Sequence, residues 1–572
     1  MQLFFWRGVF YNKSFYMRKF FLLPVLILLQ AAAACSQSRE EAIRQLMQQA
    51  HIPGLSLAYV KNGQVAELYS LGIRSADTKE PVDAGTIFSA ASLSKAVFSY
   101  GVLQLVDAGK LDLDKPLYNY YDYPDLAYDA RYRQITARQV LSHTSGLPNW
   151  RNGDTLRFKY NPGERWNYSG EGFVMLAKVV EKITGQTIED YLQQTVLRPL
   201  GMSRSSFIWQ EAYNADAAFP HTDVGQTSGR WQPNEPNTAA SLQTTATDYA
   251  KFLTALLNRK GLKKSTYEQV FKPQPNSRVA KDNNALYWGL GVGYQFADNA
   301  PAFWQWGDNG TFKAFLFGYP DKKEGLVYFA NSSTGLVIAP DLLRMFFNHE
   351  QPAEKWVNND NASLQDIALI YRLLDLPFEE AMQPYMQPGA PYQDTTRFPE
   401  DKMNGIGYRL LELKRSATAR QVFEMNTRIY PRGAAAWRGL GEAEVREGQR
   451  QAAATAFEKA AALDTADKEV GQIARRLENL PENAKDSAAV PTTFRLQAYS
   501  NARYVSLGGT FNDWNDLRTP MRWENGAWVV TIALKPGTYT YKFAVDGVWI
   551  PDPSNKQAKP ESFDSIITVV AR

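Results

Sequence analysis

Apolar and polar positions divide the chain into stretches of different period. Gly54-Leu-Ser-Leu-Ala-Tyr-Val60 and Gln64-Val-Ala-Glu-Leu-Tyr69 flank Asn62-Gly63, the pattern of two strands joined by a tight turn. A second strand pair is predicted over 312–319 and 325–331, joined through Pro320 and Asp321, with a helix over 336–347. Strands at both ends with helical spacing between them predict one α+β domain over 36–350, an antiparallel sheet flanked by helices. Its first and last strands should share that sheet.

Residues 351–400 turn to Pro, Gln, Asn and Asp without a sustained period and read as a linker. Over 401–480 a pattern recurs at a spacing of 34: Met403, Gly407, Ala419, Phe423 and Pro431 are followed by Trp437, Gly441, Ala453, Phe457 and Thr465. This predicts a short α-helical repeat segment, and the Trp-x-x-Leu-Gly opening at Trp437 resembles the tetratricopeptide family, although Glu444 stands where that family has Tyr. Two hairpins are few for such an array, which favours a spacer leaning on the larger domain over a peptide-binding groove. A polar break at 481–490 precedes strand-like runs at 494–499, 504–507, 528–534, 538–545 and 566–570, a C-terminal β-sandwich over 491–572.

Composition narrows the class. A chain of 572 residues with 44% apolar and 21% charged residues is multidomain and globular rather than disordered. Its first 34 residues carry Arg7, Lys13, Arg18 and Lys19 without an acid, then the apolar run 20–29 and Ala31 to Ala34, the layout of a secretory signal. Cys35 follows directly, which resembles a bacterial lipoprotein signal, with Ala32 in place of the usual Leu. An exported, periplasmic or cell-envelope protein, lipid-anchored through Cys35, is the expectation. Without that segment, the 63 basic residues fall to 59 against 59 acidic ones, so charge gives no case for nucleic acid. One cysteine excludes an internal disulfide, and His51, His143, His221 and His349 lack metal-ligand spacing, so neither metal nor other cofactor is expected.

The chemistry concentrates at Ser89-Ala-Ala-Ser92-Leu-Ser-Lys95, followed by helical apolar spacing. Ser92 opens a buried helix, and a residue three positions on shares its face, so Lys95 reaches the Ser92 hydroxyl. Backbone N–H groups at a helix start favour the anion formed during attack. Lysine serves as a base only when neutral. Lowering it from ~10.4 to ~7 takes roughly 4.6 kcal/mol, which calls for burial and for a further polar group, typically Tyr.

Further motifs follow in order: Val140-Leu-Ser-His143-Thr-Ser-Gly146-Leu-Pro148, Pro162-Gly-Glu-Arg-Trp-Asn-Tyr168-Ser-Gly170 and Phe303-Trp-Gln305-Trp306-Gly307-Asp308. With the Ser92 tetrad they resemble the β-lactamase-related serine hydrolases, the family of class C β-lactamases, D-alanyl-D-alanine carboxypeptidases and related esterases. The resemblance implies Ser92 as acylated nucleophile, Lys95 as its base and Tyr168 as second proton-transfer group. It also implies an oxyanion hole from the backbone N–H groups of Ser92 and Asp308, with Gln305, Trp306 and Gly307 on the substrate-binding strand. His143 reads as structural. Two positions depart from the family: Gly170 stands where Asn is usual, and Gln305 where Lys or His is usual. Without that cation a neutral ester or amide is favoured over a carboxylate-bearing β-lactam or D-alanyl peptide.

Gly509-Thr-Phe-Asn-Asp-Trp514 and Tyr539-Thr-Tyr-Lys542 through Trp549 resemble the glycogen-binding modules of kinase regulatory subunits and starch-acting enzymes. That resemblance implies sugar stacking on Trp514 and Trp549 and hydroxyl bonding by Lys542, with an α-glucan or other polysaccharide as partner. Asp564 replaces an Asn of that site. Two readings follow: an exported serine hydrolase acting on a small acyl substrate, or a decayed hydrolase kept as a cell-envelope carbohydrate-binding or scaffold protein. The membrane enters only through the lipid expected at Cys35.

Overall fold

The computed structural model describes residues 38–570 except 152–154, 281–284, 298–299, 350, 359–362, 386–398, 479–489, 501, 503–504, 513, 515–518, 546–547 and 558–563. The predicted signal segment and Cys35, and most of the break at 481–490, lie outside the described residues. Two compact units divide the chain after Ile367.

In the first unit helix α1 (38–49) precedes strands β1 (Gly54–Lys61) and β2 (Gln64–Gly72). Asn62 and Gly63 both take positive φ, 52° and 71°, the left-handed pair that a two-residue hairpin loop requires. Two short strands, β3 (Phe88–Ser89) and β4 (Gln243–Thr244), pair with each other, while β5 (Leu286–Trp288), β6 (Gly293–Ala297), β7 (Ala300–Asp308), β8 (Lys313–Tyr319) and β9 (Glu324–Ala330) extend the main sheet. Its seven strands run in the order β2-β1-β9-β8-β7-β6-β5, all antiparallel, and Leu55 pairs with Ala330, so both ends of the domain meet there as expected.

Both faces of this sheet are covered, which is why β8 and β9 read as unbroken apolar runs rather than alternating ones. On one face Ala58, Val60, Leu316, Val327 and Phe329 pack with helix α2 (Ser94–Asp107) and with the helices Glu171–Thr184 and Ala246–Leu257. On the other, Leu55, Leu57, Phe315, Phe317 and Tyr328 pack against α1 and the helix Ala339–Phe347.

Reading 351–400 as a linker needs correction over its described part, 359–362 and 386–398 lying outside the described residues. Residues Pro352–Asn358 and Leu364–Asp375 are helical. Gln351 is fully buried, donates to the Tyr319 hydroxyl at 2.8 Å and accepts from Gln295 Nε2, while Ala353 N donates to Gln295 Oε1 at 3.1 Å. Trp356 packs on Trp304 and Trp306. A pair of buried glutamines and one indole fasten this stretch to the sheet, so it shows no long apolar period. The hydrolase-like domain therefore continues past 350. Farther on, Leu369, Leu373 and Met382 join the core of the second unit.

The second unit holds the helices Glu400–Glu412, Ser416–Ile429, Ala434–Glu447, Arg450–Leu463 and Lys468–Glu478. The 34-residue spacing has a physical cause: a Cβ on Gly407 would come within 2.5 Å of the Phe423 ring, and one on Gly441 within 2.9 Å of Phe457. Each glycine lets one helix close on the phenylalanine of the next. The C-terminal strands form a three-stranded and a four-stranded sheet around Phe494, Leu507, Trp528 and Phe543. Lys414 from the helical segment donates to Ala502 O at 2.5 Å and sits 4.1 Å from the Trp528 ring, so helices and sandwich touch within this unit.

If 351–358 belongs to the first domain, Gln351→Ala removes the buried acceptor of Gln295 Nε2 and a donor to the Tyr319 hydroxyl. Chemical unfolding should show a loss of about 1–3 kcal/mol in the transition of that domain.

Candidate active site

Ser92 lies in the 3-10 turn Ala91–Leu93 that leads from β3 into α2. Ala91 adopts φ 48°, a conformation that an alanine holds only when its surroundings fix it. They do so on three sides. Ala90 N donates to Leu242 O at 2.8 Å, the Tyr249 hydroxyl donates to Leu93 O at 3.0 Å, and Ser94 Oγ bridges Ala91 O and Leu242 N. Ser92 itself stays half-buried.

One turn on, the Lys95 side chain is 1% exposed, with Nζ 3.1 Å from Ser92 Oγ and 2.8 Å from Ala239 O. Its two hydrogen-bond partners are a hydroxyl and a carbonyl, and no carboxylate balances it among the described ion pairs. Aromatic faces complete the surroundings, Tyr168 at 4.7 Å, Phe173 at 5.7 Å and Trp150 at 5.8 Å. Burial lowers the ammonium from 10.5 to about 7. Ala239 is 144 residues away in sequence and acts through its backbone, so nothing in the residue pattern could have marked it.

Tyr168 is brought to the same point. Its hydroxyl is within hydrogen-bonding reach of Ser92 and accepts from Gln305 Nε2 at 3.0 Å, and burial raises it above its ordinary 10. His143 lies behind it, fully buried, its ring stacked on Tyr168 at 4.2 Å and 29°. Ser169 N donates to His143 Nδ1 at 3.0 Å, and burial holds the imidazole well below 6.5. A neutral, stacked ring supports Tyr168, in keeping with the structural role read from the sequence. Trp306 covers Tyr168 from another side at 4.7 Å and continues into a cluster with Trp304 and Trp356.

Strand β7 forms the opposing wall. A Cβ on Gly307 would lie 2.7 Å from Ala90 O and 3.3 Å from Ala91 Cβ, so only glycine lets the strand approach the Ser92 turn this closely. Gln305, on the same face and fully buried, places Nε2 3.0 Å from Trp306 O and 3.5 Å from Ser92 O. Asn309 N donates to Phe312 O toward β8, and the alternation of an antiparallel ladder turns the Asp308 N–H to the other edge. There β6 starts its pairing at Gly293, opposite Trp304, and leaves that N–H beyond its reach. Asn309 Nδ2 ties this end of the strand to Ser89 Oγ at 3.0 Å and Ala240 O at 3.2 Å.

The missing side chain at 170 has a steric counterpart. A Cβ on Gly170 would meet the Trp150 ring at 2.7 Å and Asn149 O at 2.8 Å. Trp150, which the sequence did not single out, occupies the place where an amide would project. Asn149 holds the site from outside, accepting from Gly170 N at Oδ1, 3.1 Å away.

In the C-terminal sandwich Trp514 and Trp549 stand edge to face with centroids 5.9 Å apart. Trp549 is 39% exposed and lies across Gly508, where a Cβ would come within 2.2 Å of the indole. Lys542 Nζ is 2.9 Å from Asp564 Oδ1. The sequence-derived residues of this face are therefore together, with the lysine ion-paired to the acid that replaces Asn.

Comparison with known proteins gives the class. A family model described as Beta-lactamase matches residues 39–344, and one described as the glycogen recognition site of AMP-activated protein kinase matches 490–570. The first covers more than half of the chain, and the chain belongs to the β-lactamase family. Protein flp of Staphylococcus aureus (strain N315) is 25% identical over 338 residues, 55% of this chain and 67% of that protein. Penicillin-binding protein 4 of Amycolatopsis lactamdurans is 31% identical over 201 residues, 32% of this chain and 52% of its own length. Among solved structures, D-alanine carboxypeptidase AmpC from Burkholderia cenocepacia aligns with TM-score 0.45 at 21% identity, covering 53% of this chain and 95% of the other. The octameric penicillin-binding protein homologue from Pyrococcus abyssi aligns with TM-score 0.49 at 22% identity, covering 59% and 81%.

Restoring the family amide at 170 should cost stability rather than gain function. Gly170→Asn is expected to lose roughly 1–3 kcal/mol in chemical unfolding, with part recovered by adding Trp150→Ala. An unchanged transition would mean that Trp150 does not fill that space.

Proposed function

We propose that the chain hydrolyses an ester or amide through an acyl-enzyme on Ser92. The observation that carries this reading is Lys95, buried without a carboxylate among the described ion pairs and 3.1 Å from the Ser92 hydroxyl, so that a large fraction of its amine is neutral near pH 7. The amine takes the hydroxyl proton as Oγ attacks the carbonyl carbon, and the negative charge that forms on the carbonyl oxygen is held by the backbone N–H groups of Ser92 and Asp308. Collapse expels the alcohol or amine, which receives its proton through Tyr168 and Lys95. Water then attacks the acyl group by the same route in reverse.

The substrate side is read from Gln305 and Trp306. Gln305 is an uncharged amide already committed to Tyr168, and Trp306 lays an aromatic face beside it. β7 itself carries no lysine or arginine to offer a substrate carboxylate, and Lys313 on the neighbouring β8 is ion-paired to Asp308. A neutral acyl substrate is therefore favoured, and penicillin and D-alanyl peptides are the comparators that the names of the relatives supply.

A fluorophosphonate probe should label the wild type and not Ser92→Ala. Its labelling rate should rise with pH through about 7, because Lys95 is protonated and inactive below that value and neutral above it. A folded wild type that neither a fluorophosphonate nor penicillin labels would favour the decayed-hydrolase reading, and label on Ser92→Ala would place the nucleophile elsewhere.

The C-terminal module is proposed to bind an α-glucan through Trp514, Trp549 and Lys542, on the strength of the exposed Trp549 ring beside Trp514. Retention on a glycogen column should be lost in Trp549→Ala. Wild-type protein that passes unretarded would remove this activity.

A further inference from the structure

We propose that Lys313 is a positioning residue for the oxyanion site, its ammonium neutralising the carboxylate carried by Asp308. The proposal rests on the reading of Ser92 as nucleophile and adds a residue that neither the motifs nor the comparisons assign.

Asp308 and Lys313 are cross-strand partners on β7 and β8, and Lys313 Nζ is 2.6 Å from Asp308 Oδ1. The lysine side chain is only 9% exposed, against 41% for the aspartate. Its stem is held by close packing: a Cβ on Gly335 would come within 2.7 Å of Lys313 Cβ, so a larger residue there would displace it. Gly310 N donates to the same Oδ1 at 2.8 Å. Since Gly307 faces the Ser92 turn, the alternation of the strand sends the Asp308 side chain to the opposite face. Two donors, one of them charged, keep it there.

The location gives the pair its meaning. The Asp308 N–H is the donor assigned to the oxyanion, so a full negative charge sits on the same residue that must stabilise a second one. Two like charges at one residue oppose each other even though the Asp308 carboxylate is partly solvated, and a counter-charge that is itself buried removes most of that opposition. A simple cross-strand ion pair would stabilise the hairpin equally well through either partner. A counter-charge makes a different demand: the lysine matters only while the carboxylate is present.

The test compares second-order labelling rates by a neutral fluorophosphonate in the full-length chain. Lys313→Met should slow acylation by about tenfold or more, while Lys313→Arg, which keeps the charge, should retain most of the rate. Adding Asp308→Asn to Lys313→Met should restore at least about threefold of the loss, because the charge to be neutralised is gone. Circular dichroism and melting temperature establish that each variant is folded, and the double variant keeps the proposal testable if Lys313→Met is partly unstable. Wild-type rates in Lys313→Met, or a double variant as slow as Lys313→Met alone, would overturn it. A wild type that no acylating probe labels would overturn this proposal and the reading of Ser92 together, whereas labelled wild type with an indifferent Lys313 overturns only the former.

Discussion

The site depends on keeping one amine out of water. Taking Lys95 from 10.5 to about 7 costs about 5 kcal/mol in the folded state. The sign is fixed by linkage: above about pH 10.5 both folded and unfolded chains hold a neutral lysine and the penalty vanishes. It grows as the pH falls and is complete below about 7. At neutral pH the rest of the domain must offset nearly all of it. The packing that does so is the apolar shell of α2, buried along almost its whole length, together with the seven-stranded sheet behind it.

For the acyl-enzyme proposed on Ser92, a neutral amine is only part of the arrangement. Ala239 O orients Nζ, the strained Ala91 turn presents Ser92, and Gln305 donates to Tyr168 so that the phenol must use its own proton elsewhere. Each of these contacts comes from a different stretch of chain, and Gly307 is what lets them close on one another. The stacked His143 and the tryptophans beyond it fix the phenol from behind. Rigidity here is supplied by aromatic surface rather than by charge.

Local chemistry was legible in the sequence, and remote chemistry was not. The Ser92 and Lys95 pair could be read because three residues along a helix meet on one face. The hairpin at Asn62-Gly63 could be read because that dipeptide answers a backbone demand. The 34-residue repeat could be read because each glycine and phenylalanine meet once per repeat. Tyr168 and Gln305 emerged only through resemblance, since no local period links them to Ser92. Trp150 and Ala239 left no trace, one acting by filling a volume and the other by a backbone carbonyl. The start of the stretch after 350 was misread for a related reason: one buried glutamine and a single indole hold it where an apolar stripe would announce a core helix.

The register of the sheet has a consequence for how the chain acquires its shape. β1 lies between β2 and β9, and its pairing with β9 joins Leu55 to Ala330. A growing polypeptide has the first hairpin early, yet one whole edge of β1 waits for residues synthesised about 270 positions later. Such a non-local closure is slow, because the loop must be drawn together before the contacts reward it. The domain cannot complete its sheet while it is still being made, and until Ala330 arrives the β1 edge is an open template that something other than β9 must leave alone.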